Sequence, residues 1–170
     1  MPTYTVADPE VDNIGAGLVK SVIEELREAE VTVLYLFANS GENDDGPPLK
    51  APGGWPALAK IKVNSLRDRV SGLADATCMI DQRRWEEMEE KERKSLLHHE
   101  LLHLQVQVKD GKIRRDDAGR PKLRLRLHDF QIGGFDEIVE RYGDAAAESQ
   151  SIRETLKREP VQQLLGFMHG

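Results

Sequence analysis

Two histidines four residues apart, with a glutamate directly after the first, lie in the stretch His99-Glu100-Leu101-Leu102-His103. On a helix, side chains at i and i+4 share one face, a turn apart, so both imidazoles can approach a single ion. Glu100 is rotated about 100° around the axis and falls beside that ion. Neutral imidazoles suit zinc, and a carboxylate in this place can act as general base toward an activated water. A structural zinc site has no use for an acid between its ligands, so the HExxH pattern points to hydrolysis.

The element that must position these groups is a helix. Leu96, Leu97, Leu101, Leu102 and Leu104 surround the motif, and no Gly or Pro occurs between Gln82 and Val108. That pattern predicts a helix with an apolar buried side. Asp81 caps its start, and Trp85 and Met88 pack on a sheet. Glu86 to Lys94 forms a solvated face, and one helix or two across Glu89-Glu90-Lys91 both fit.

A catalytic zinc has three protein ligands and one open position. Position 109 is lysine, so no HExxHxxGxxH extension supplies the third. His128, Glu137, Asp129, Asp136 and His98 are the candidates. His128, at the end of a strand, stands first. Glu137, one turn from Glu140 on a helix, stands second. His98 points elsewhere on its helix, and His169 sits in the tail. Asp129 is placed to orient a ligand imidazole. Tyr142, Arg141 and His98 are candidate donors to an oxyanion.

The chain has 170 residues, 39% hydrophobic and 32% charged, with a formal net charge of −6. One domain of a soluble protein fits those values, with residues 1–145 as its body and 146–170 as a C-terminal helix and tail. The global charge favours neither a membrane nor bulk nucleic acid. The single cysteine, Cys78, excludes an internal disulfide and a CxxC zinc knuckle. No apolar run approaches a membrane span, and Met1-Pro2-Thr3-Tyr4-Thr5 has no leader character, so the expected location is the cytoplasm.

Asp8 to Ala29 reads as a helix with an apolar stripe at Ile14, Leu18, Val22 and Leu26. Val31–Phe37, Ala59–Val63 and Asp75–Ile80 read as strands. Asn39 to Pro56 is a long breaker-rich loop, and Leu66 to Leu73 is a turn or short helix. Gln105–Val108 reads as a strand. Lys112–Arg115 and Lys122–Leu127 read as the arms of a hairpin with its tip at 116–119. Phe135–Tyr142 and Ala145–Arg158 read as helices. The fold expected is α+β and zincin-like: a small mixed sheet on the HExxH helix, then a hairpin and C-terminal helices.

The chain resembles the Putative phage metallopeptidase family, whose members are phage- and prophage-encoded. The residues that carry the resemblance are Ala74–Asp81, Trp85, Leu97–His103, His128-Asp129-Phe130 and Phe135…Val139…Arg141-Tyr142-Gly143, and it covers roughly residues 5–145. It is also broadly similar to SprT-like peptidases, without the cysteine zinc ribbon that some of those carry. The resemblance implies a zinc peptidase with His99, Glu100 and His103 in its site, His128 as a further ligand, and a protein or peptide substrate.

A reading from a different class is a phage factor that binds DNA or protein and has a structural or vestigial metal site. Between residues 112 and 126, Lys112, Arg114, Arg115, Arg120, Lys122, Arg124 and Arg126 face only Asp116 and Asp117. Arg124 and Arg126 alternate with Leu123, Leu125 and Leu127, which gives a hairpin one basic and one apolar face. No aromatics interleave with the basic residues, against single-stranded nucleic acid.

Overall fold

The computed structural model describes residues 1–42, 44–128 and 136–157. Two units are distinguished, Met1–Leu127 and His128–Gly170.

In the first unit the apolar runs become a four-stranded sheet. Its middle strands are β2 (Val33–Asn39) and β4 (Ala76–Asp81), which are parallel and in register from Val33↔Ala76 to Ala38↔Asp81. Both faces of β4 are shielded, which explains why Ala-Thr-Cys-Met-Ile shows no alternation. Two antiparallel strands flank them, β1 (Thr3–Val6) on β2 and β3 (Ala59–Val63) on β4, in the order β1-β2-β4-β3. β3 alternates buried Ala59 and Ile61 with exposed Lys60 and Lys62, as its sequence predicts.

The predicted helix over 8–29 is two helices, α1 (Pro9–Ser21) and α2 (Glu24–Glu28). The 66–73 segment is a short helix, α3 (Leu66–Val70), capped by the Ser65 side chain. The HExxH region is also two helices, α4 (Gln82–Glu87), capped by Asp81, and α5 (Glu90–Leu102). The break between them is stabilised at Glu89, whose N–H donates to the Glu92 carboxylate at 2.7 Å. Val11 and Leu18 of α1, Leu97 and Leu101 of α5, and Phe37, Cys78 and Ile80 of the sheet form one buried cluster. Each such side chain contributes on the order of 1.5–3 kcal/mol through burial. Arg93 ties the helices together: it donates to the Trp85 carbonyl at 3.1 Å, lies over the Trp85 ring, and pairs with Glu10 at 3.0 Å.

After α5 come two small ribbons. β5 (Leu104–Val106) pairs with β8 (Leu123–Leu125), and β6 (Val108–Lys109) pairs with β7 (Lys112–Ile113). The expected hairpin of 112–115 with 122–127 is therefore corrected. Its tip does close, through an Arg115↔Pro121 bridge, but below the tip the arms take different partners.

The second unit contains α6 (Asp136–Tyr142), a 3-10 turn at Gly143–Ala145 where Gly143 has φ +52°, and α7 (Ala147–Leu156). Asp129, Phe130, Phe135 and the tail with His169 lie outside the described residues. Among the described residues no helix is long and apolar enough to cross a membrane.

Candidate metal centre

α5 is pinned by Leu97 and Leu101, both fully buried and four residues apart. That orientation leaves His99 exposed and turns Glu100 inward, 6% exposed. The helix ends at Leu102, and His103 follows as its C-cap with helical dihedrals, so the i, i+4 relation to His99 persists. The His99 and His103 rings lie 5.0 Å apart between centroids, at 77° to one another.

His103 Nδ1 lies 2.7 Å from the Arg126 carbonyl oxygen. A carbonyl only accepts, so Nδ1 carries the proton and Nε2 presents its lone pair. The residue that orients this imidazole is thus a backbone carbonyl, which no side-chain pattern encodes. Arg126 also donates its N–H to the His103 carbonyl at 2.6 Å. His128 comes two residues later, at the boundary of the first unit. One ligand nitrogen each of His99, His103 and His128 lies within 4.8 Å of the others. Three imidazoles at this separation fit a divalent transition metal. Of the other candidates, His98 is half-buried, its pKa pushed down by burial and by Lys94, and Glu137 pairs with Arg141 at 3.1 Å on α6.

Burial pushes the Glu100 carboxyl above its ordinary range, and the nearby His103 and the Ile61 N–H, which donates to it, pull partly the other way. Sequence reasoning missed this backbone donor, although the ladder explains it. Leu58 accepts from Asp81 N–H, and Asn64 donates to the Asp75 carbonyl, so even-numbered residues face β4. Ala59 and Ile61 therefore turn their amides outward from the sheet's edge. A groove of about 890 Å³ runs beside His99 and Glu100, between Ala57, Leu58 and Ala59 on one wall and Met88, Ser95 and Leu96 on the other.

The basic segment looks different in three dimensions. Arg114 donates to Gln107, Arg115 to the Gly119 carbonyl, Arg120 to Asp75, and Arg124 to Gln105. Lys112, Arg114, Arg115, Arg124 and Arg126 are exposed, while Arg120 is half-buried against Asp75. The apolar side is not continuous: Leu123 is buried, but Leu125 and Leu127 are exposed.

A histidine triad beside a buried carboxylate is the equipment of a metallohydrolase. Residues 3–165 match the profile described as Putative phage metallopeptidase, and the chain belongs to that family. No curated protein and no solved structure matches it.

Proposed function

We propose that the chain is a zinc-dependent peptidase that cleaves peptide bonds, with His99, His103 and His128 as ligands and Glu100 as general base. The observation that carries this reading is the convergence of three imidazole nitrogens within 4.8 Å next to a buried glutamate. When bound, zinc supplies a Lewis acid that polarises a carbonyl and acidifies water. Glu100 takes the proton of the attacking water and passes it to the leaving amine. Its raised pKa suits the second half of that task, because the carboxyl must hold the proton between the two transfers. The outward amide and carbonyl of Ala59 pair with an extended substrate, which makes β3 the strand that the substrate augments.

Two measurements on purified protein test the reading. Elemental analysis should give about one zinc per chain, and Glu100→Gln should keep that zinc while abolishing hydrolysis of a denatured protein substrate. Full hydrolysis by Glu100→Gln would sink the mechanism.

A further inference from the structure

We propose that a buried clasp at the far end of β8, formed by Asp75–Arg120 and Arg69–Asp116, is a positioning device for the third metal ligand; this rests on the zinc reading above. Asp75 is 1% exposed and receives Arg120 Nε at 3.0 Å and Nη2 at 2.7 Å, while Nη2 also reaches the Glu30 carbonyl at 2.7 Å. Arg69 donates to Asp116 at 3.1 Å and to the Pro121 carbonyl at 2.8 Å, with both charged side chains almost wholly buried. Asp116 in turn accepts from the Arg120 N–H at 3.0 Å. The loop that precedes β8 is thereby fixed to α3, to the start of β4 and to the segment before β2.

From that anchor the chain runs in unbroken antiparallel register against β5. Gln107 donates to the Lys122 carbonyl, Val106 faces Leu123, Leu104 faces Leu125, and Arg126 faces His103. The six steps from Arg120 to Arg126 span about 20 Å at roughly 3.3 Å per residue, and Lys122 to Arg126 carry that register. A slip of one residue turns every side chain to the opposite face. It would also replace the Arg126 carbonyl at His103 Nδ1 and move His128, two residues on. β8 has only three residues, and the clasp holds the chain immediately before it.

The test is zinc affinity of the full chain, measured by competition with a chromophoric chelator at a temperature where every variant is folded. Arg120→Ala and Asp75→Asn should bind zinc about 10–100-fold more weakly, the range seen when groups supporting metal ligands are removed. Arg120→Lys should fall between these and wild type, because an ammonium cannot reach both carboxylate oxygens and the Glu30 carbonyl; it decides the matter if Asp75→Asn does not fold. Leu18→Ala, a core change in α1, should lower the melting temperature with zinc affinity within about threefold of wild type. Clasp variants that bind zinc like wild type, or a Leu18→Ala variant that loses as much affinity as they do, would overturn the proposal while leaving the peptidase reading intact. A wild-type chain that binds no zinc would overturn both.

Discussion

His103 and Arg126 are joined twice: the Arg126 N–H donates to the His103 carbonyl at 2.6 Å, and His103 Nδ1 donates to the Arg126 carbonyl at 2.7 Å. One bond continues a β ladder and the other orients an imidazole. Proline at position 126 removes the first by deleting the N–H, while an extended φ remains accessible to it. Arg126→Pro should therefore weaken metal binding on the order of tenfold, measured by chelator competition. Affinity equal to wild type would mean that this ladder bond does not orient the ligand.

Two glycines of α1 give opposite predictions. A Cβ on Gly15 would sit 2.2 Å from the Tyr35 hydroxyl oxygen and 2.7 Å from its ring carbon, whereas one on Gly17 would meet nothing within 4 Å. Alanine gains about 1 kcal/mol of helix propensity over glycine at either site. At Gly17 that gain stands, so Gly17→Ala should raise the melting temperature. At Gly15 overpacking, about 1–3 kcal/mol, exceeds it, so Gly15→Ala should lower the melting temperature.

Much of the candidate site is legible in the sequence because helical spacing is local. His99, Glu100 and His103 follow from one turn of helix, and Leu97 and Leu101 from its buried side. The first helix misled because its i, i+4 stripe runs through a break. Val22 on that stripe is 49% exposed, while its neighbour Ile23 is 8% exposed and takes its place in the core. β1 is hard to read because it has only four residues and all are exposed, so its Thr-Tyr-Thr-Val alternation marks no buried face. The hairpin expectation fails because sequence proximity favours 112–115 as partner for 122–127, whereas β8 pairs across some twenty residues with β5. The Arg126 carbonyl and the Ile61 N–H are backbone groups, and every sequence has those everywhere.

Acid should unfold the chain in part through Asp75. Burial alone would raise its pKa, but hydrogen bonds from Arg120 and Thr32 outweigh that and hold it below the ordinary carboxylate range. A carboxyl lowered on folding contributes stability that is present above its unfolded value, about 3.9, and is lost as pH falls from there through the folded value. Asp75→Asn should cost on the order of 2–3 kcal/mol at neutral pH, less than a fully buried pair because the Arg120 side chain is 33% exposed. Its melting temperature should also fall less steeply below pH 4 than that of wild type. Parallel acid limbs in the two proteins would remove Asp75 from the account.

Cys78 is fully buried in β4, and burial raises its thiol well above the usual value. Thiol-specific reagents should modify it only as fast as the sheet opens, so the labelling rate should follow denaturant in the same way as global unfolding. Rapid labelling of the native chain would show that β4 opens locally.

Glu100 has one more effect through its contact with Ile61. The outer strand of a sheet is a template on which another chain can add itself, and natural proteins blunt it with charge. On β3 the charge at the open amide is the carboxylate proposed here as the general base, with Lys60 and Lys62 alternating along the same strand. The side chain proposed for proton transfer thus also occupies one of the outward donors of that strand, the Ile61 N–H. Inactivation by alanine would uncover that amide and favour self-association. Glutamine, whose amide oxygen can still accept the Ile61 N–H, is the substitution that silences the chemistry and keeps that amide paired.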